Sequence, residues 1–153
     1  MNKVLTLLIA IAMTTSCNKD CITLNEQNYL VFGHFYGMCA GEGCVETYKL
    51  TDMKLYEDLI DDYSGQNLEF VELENETFEQ VSDLVDFFPN QLLSEEETVF
   101  GCPDCSDGGG LFIQYSDNGN LKSWRIDQFQ NNVPSYLHSF MNHVNEAIVL
   151  INN

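Results

Sequence analysis

The sequence predicts an α+β domain, with an antiparallel sheet of about five to six strands and two main helices packed on one face. Three observations predict it. Short segments rich in β-branched and aromatic residues are divided by Gly and Asx turns. Two later segments carry apolar residues at helical spacing. The order runs strands, helix, hairpin, helix, without the strand–helix alternation that builds a parallel sheet.

After a short polar tether, residues 29–36 (YLVFGHFY) read as the first strand. Residues 37–44 are dense in glycine and should form a loop. Residues 45–50 alternate well enough for a second strand, and Thr51 and Asp52 turn the chain into residues 53–56. This meander ends near Glu57 and Asp58, where residues 61–66 begin a polar surface loop. Residues 68–73 give another short strand. Asn75 or Thr77 can then cap a helix in which Phe78, Val81, Leu84, Val85 and Phe88 share one stripe. Thr77 with Gln80 has the form of a capping box, and Pro89 stops the helix.

Residues 94–97 form a solvated link to Val99 and Phe100, and residues 102–110 form a second glycine-rich loop. Residues 111–115 and 121–126 flank Asn118-Gly119, the dipeptide that a primed hairpin turn demands. Pro134 opens the last helix, whose stripe is Leu137, Phe140, Met141, Val144, Ile148 and Ile151. With both helices on one face, the other face of the sheet is left free for water.

The N-terminus predicts location. Lys3 precedes a largely apolar run, residues 4–13, which is too short to span a bilayer and leads through Thr14, Thr15 and Ser16 to Cys17. This resembles the signal peptide and lipobox of bacterial lipoproteins, in which that cysteine is acylated and becomes the new N-terminus. The resemblance implies a signal peptide at 1–16 and a lipidated Cys17 and tether at 17–28; the 153 − 16 = 137 residues left after cleavage suffice for one domain with a core, expected at 29–153, and are too few for two. Acyl chains contribute about 0.8 kcal/mol per buried methylene, so two or three hold a protein at a membrane without a spanning helix. Asn18-Lys19-Asp20 resembles the lysine-plus-acidic signals of Bacteroidota lipoproteins displayed outside the outer membrane. The resemblance implies the outer membrane as the destination, with the domain facing either the cell surface, through that signal, or the periplasm.

The 153 residues carry 24 acidic and 6 basic groups, a formal net charge of −18. The basic residues form no cluster, and phosphate backbones repel such a chain, which excludes nucleic acid as a partner. The same acidity is the solubilising surface of many exported proteins. The expected partners are therefore the membrane, through the lipid anchor, and a protein or small ligand that the residues do not identify.

In layout the chain also resembles small Bacteroidota lipoproteins that carry a loop like Gly37-Met38-Cys39 to Gly43-Cys44 after the first strand. More distantly it resembles the emfourin-type protease inhibitors, through residues 78–88, residues 107–125 and the last helix. That likeness brings no inhibitory residue with it, so a protease-inhibitor-like module stands as one alternative function, beside a thiol or zinc site protein using Cys39, Cys44, Cys102 and Cys105.

Chemistry concentrates in the cysteines. With Cys17 taken as the anchor, Cys21, Cys39, Cys44, Cys102 and Cys105 remain. Export favours disulfides, made within each loop or between the two, and leaves one odd thiol, Cys21, free or paired between molecules. The rival is a structural zinc site using Cys39, Cys44, Cys102 and Cys105, whose spacings fall within the range of such sites. A redox pair at Cys102 and Cys105 is weaker, because three glycines and a strand follow where a helix N-terminus would lower a thiol pKa. Ser106 stands where haem attachment needs histidine.

Other groups read as structural. His138 and His143 lie about 140° apart on a helix and cannot share a metal. His34, in an apolar strand, is expected to be a satisfied histidine at the core edge. Asp61 with Asp62, and Asp104 with Asp107, match no calcium loop and read as polar turns. Tyr36 and Tyr63, at loop edges, are the expected contact aromatics. No residue takes a catalytic role and no cofactor is called for. The expected function is non-catalytic binding by a lipid-anchored outer-membrane protein, through the loops at residues 39–44 and 102–110.

Overall fold

The computed structural model describes residues 22–153, so Cys17, Cys21 and everything before Ile22 lie outside the described residues. In chain order the elements are β1 (Tyr29–Phe35), β2 (Val45–Leu50), β3 (Leu55–Asp58), β4 (Phe70–Glu72), α1 (Asn75–Val81), β5 (Val99–Phe100), β6 (Gly110–Asp117), β7 (Asn120–Asp127) and α2 (His138–Ile151). Short 3₁₀ turns connect several of them. The strands form one seven-stranded sheet in the order β4-β3-β2-β1-β6-β7-β5.

The α+β class agrees with the sequence, but the strand number and purely antiparallel pairing need correction. Val99 and Phe100 form an edge strand parallel to β7, with Val99 opposite Arg125 and Phe100 opposite Ile126. A strand of two residues is too short to show alternation in sequence. It is held because Phe100 is buried in the core and because Arg125 N–H donates to the Thr98 carbonyl at 2.9 Å.

Alternation decides which face each residue joins. Leu30 and Phe32 of β1, Tyr48 and Leu50 of β2, Leu111 and Ile113 of β6, and Trp124 and Ile126 of β7 point to the helix side. There they meet Leu137, Phe140, Met141, Val144 and Ile148 from the C-terminal stripe. Each large apolar side chain fully buried in this way contributes roughly 1.5–3 kcal/mol. Phe88 sits at the junction, with its ring 5.5 Å from Phe140 and 5.6 Å from Tyr115.

The β6–β7 hairpin closes as its dipeptide requires. Asn118 and Gly119 take φ of 50° and 84°, the paired positive values of a type I′ turn, and place Asp117 opposite Asn120. The first helix differs from expectation. It begins after Glu74, and Thr77 lies inside it with its N–H bonded to the Glu74 carbonyl, so neither Asn75 nor Thr77 caps it. Asn75 instead donates its amide to Glu79 at 2.7 Å. At Val81 (φ −127°) the helix gives way to a 3₁₀ segment, Ser82–Phe87, yet Val81, Leu84 and Phe88 are all buried across the kink.

The opposite face is not simply wet. Residues 59–69, between β3 and β4, cross it as a strap over Val31, Phe35 and Phe112. Asp58 anchors the strap at both ends, accepting from Glu69 N–H at 2.5 Å and Asp61 N–H at 3.0 Å. Asp62 gathers the Ser64 hydroxyl, the Asn67 amide and two backbone N–H groups. Those hydrogen bonds hold its carboxyl well below the usual carboxylate range. At the strap's centre Gly65 (φ 67°) lies directly on the Phe112 ring, 2.7 Å from where a Cβ would stand.

Candidate functional site: two disulfide loops joined through Asp104

Strand direction brings the two cysteine loops to one end of the sheet. The first leaves β1 after Phe35, and the second enters β6 at Gly110, which pairs with Phe35. Both loops are closed by local disulfides, Cys39–Cys44 with Cα atoms 5.6 Å apart and Cys102–Cys105 with Cα atoms 5.4 Å apart. The four cysteines thus pair within each loop and are not gathered round one point. Among the described residues no group of three or more His, Cys, Asp or Glu is arranged to hold a metal ion.

Asp104 joins the loops. Its Oδ2 accepts from Gly37 N–H at 2.9 Å and from the Tyr63 hydroxyl at 3.0 Å, and its Oδ1 accepts from Gly109 N–H at 3.2 Å. One carboxylate thus ties the β1–β2 loop, the strap and its own loop. The backbone of Asp104 is left-handed (φ 61°), a conformation that Asp tolerates better than most residues. Burial, and then the hydrogen bond to Asp104, raise the Tyr63 hydroxyl pKa, while Arg125 pulls the other way.

Asp127 secures the root of the second loop. It accepts from Cys102 N–H at 3.0 Å, Phe129 N–H at 2.9 Å and the Asn132 amide at 2.7 Å. Burial of Asp127 works against its charged form, but these three donors outweigh it and hold the carboxyl below its ordinary value.

Around this frame lie exposed apolar groups. Met38 is 80% exposed, Phe129 is 56% exposed with its ring against Gly108, and Tyr63 is 43% exposed with its ring edge-on to Phe35. Tyr36 is half-buried, and its ring covers Gly109. Of the two expected contact aromatics, Tyr63 is therefore the more open.

The histidines are structural in their contacts. His34 Nε2 lies 3.1 Å from the Gly43 carbonyl and 3.7 Å from Glu46, at the edge of the core. His138 meets the Val133 carbonyl, and His143 meets the Ser139 carbonyl while its ring stacks on Phe87. Asp61 and Asp62 belong to the strap and Asp107 to the second loop, each serving a turn.

Sequence reasoning missed the bracing roles of Asp104 and Asp127, the strap, and Arg125, whose guanidinium lies 3.9 Å above the Phe35 ring centre. The only signal was Asp in turn-forming context, which marks a turn without naming the donors it will meet. No protein-family model matches the chain, and a search of curated proteins finds no match.

Proposed function

We propose that the chain is a lipid-anchored outer-membrane protein that acts by binding, with the disulfide-loop end as its contact surface. One observation carries this reading. The tether enters the sheet at Tyr29, while both disulfide loops lie at the opposite end of β1, about 20 Å away at 3.3 Å per strand residue. A protein held through Cys17 would therefore present these loops on the side away from the bilayer. Disulfides and the Asp104 brace support the same reading, because a preorganised surface loses less entropy on binding. The exposed Met38, Tyr63 and Phe129 supply the apolar and aromatic groups that anchor contacts.

Two measurements test it. In cells, Cys17→Ser should move the protein from the membrane fraction to the soluble one and remove the acyl mass. A photo-crosslinking residue at Met38 should capture a partner that the same residue at Val149, exposed on α2, does not. Retention of Cys17→Ser at the membrane refutes the anchor; equal capture at both positions, or none at Met38, refutes the surface.

A further inference from the structure

The groove beside the strap combines features that a surface accident would not be expected to share. It measures about 380 Å³ and is lined by Ser64, Gln66, Thr98, Gln114, Ser123 and Arg125, with Phe112 also in its wall. None of its lining residues is acidic, in a chain where acids outnumber bases four to one. Its one charge is the guanidinium of the chain's single arginine.

Arg125 has no carboxylate partner within ion-pair distance among the described residues, although Lys54 pairs with Glu72 at 2.7 Å. The other described lysines are engaged differently: Lys122 bonds the Leu93 carbonyl, and Lys49 lies over the rings of Tyr56 and Phe70. The Arg125 guanidinium carbon lies over the Phe35 ring, 3.9 Å from its centre, and over the Tyr63 ring at 4.8 Å, and the group also donates to the Tyr63 hydroxyl. That hydrogen bond uses one of the guanidinium's five N–H donors, and a pair of those that remain can match the two oxygens of a carboxylate. Beside it, Ser123 Oγ accepts from the Gln114 amide at 2.9 Å, which leaves the serine proton free to donate.

We propose that this groove binds a small monocarboxylate, its two oxygens on the Arg125 fork, with Ser123 as a further donor and Gln66 and Thr98 meeting the remaining polar groups. A uronic acid and a C-terminal amino-acid residue share this chemistry. The site does not depend on the reading of the disulfide-loop end, and each stands if the other fails. Long-range repulsion from the acidic surface is screened beyond about 8 Å at physiological salt, so the local guanidinium decides.

The test is ligand-observed saturation-transfer NMR on the full chain in neutral detergent. The probes are glucuronate against glucose, and N-acetylalanine against its amide. Saturable transfer to at least one acid, with none to its neutral counterpart, supports the site, and the responding acid identifies the source. Equal response to acid and neutral forms, or no response to either acid, overturns it. Arg125→Lys should weaken binding about tenfold, because an ammonium lacks the fork. Gln114→Glu keeps the rings over Arg125 and places a competing carboxylate in the groove, and should abolish binding while the fluorescence of buried Trp124 stays native. Undiminished binding in a folded Gln114→Glu protein also overturns the proposal.

Discussion

The carboxylate of Asp104 accepts the N–H of Gly37 at 2.9 Å across 67 residues of sequence, and so makes two separately closed loops into one surface. Replacing Asp104 with Ala leaves the Gly37 and Gly109 N–H groups and the Tyr63 hydroxyl without that acceptor, and should cost about 1–3 kcal/mol. Asp104→Asn keeps an acceptor oxygen and the tolerance for left-handed backbone, and should cost less. Urea unfolding measures both. Hydrogen exchange at Gly37 and Gly109 should accelerate in the Ala protein before other amides do.

Asp127 sets a pH dependence. Its folded pKa is depressed, so its contribution to stability is present above the ordinary aspartate value of about 3.9 and is lost as pH falls through the lower folded value. The urea midpoint should therefore drop on acidification from pH 5 to about pH 2. Asp127→Asn should be less stable near neutrality, with a shallower acid slope. An unchanged slope would show that Asp127 is not among the groups responsible.

Gly65 should resist substitution. Alanine there meets both a φ of 67° and a Phe112 ring 2.7 Å from the new Cβ. The backbone alone costs about 1 kcal/mol, and displacement of the strap adds to it. A fall in Tm larger than that of Gly119→Ala, whose Cβ meets no atom within 4 Å, is the expected result.

Position along α2 should separate core from surface. Phe140 is fully buried, and Phe140→Ala should cost about 3–5 kcal/mol, whereas Val149, 60% exposed, should tolerate Ala within about 0.5 kcal/mol.

Closure of the cysteine pairs is read by intact mass. The full chain with Cys17→Ser should show the loss of about four hydrogens from Cys39, Cys44, Cys102 and Cys105, two for each bond. Reduction should lower stability by about 2 kcal/mol per loop if chain entropy alone acts. Retained zinc, with these cysteines alkylated only after denaturation, would replace the disulfides with a metal site.

Local signals were legible where one residue decides one geometry. Asn118-Gly119 specifies its turn, and the stripe from Leu137 to Ile148 specifies its buried face. Thr77 and Gln80 misled, because a capping box reports only what a helix start would use, whereas the chain begins its helix after Glu74. The two-residue β5 escaped because its pairing with Arg125 and Ile126 is wholly tertiary. At the candidate site the cysteine loops were visible, but their pairing was not. The roles of Asp104 and Arg125 depend on Gly37, Tyr63 and Phe35, brought in from elsewhere in the chain. A side chain's turn propensity carries no information about such distant partners.

The first strand is also the middle of the sheet, hydrogen-bonded to β2 on one side and β6 on the other. Just before it, Gln27 accepts from the Ser116 hydroxyl and Asn28 from Asn118 N–H, which stitches the tether to the hairpin tip. A tug on the N-terminus along the β1 axis would therefore load two antiparallel ladders in shear, bond against bond, where an edge strand would unzip one pair at a time. A lipid anchor at Cys17 would therefore pull on the central strand of the sheet rather than on an edge.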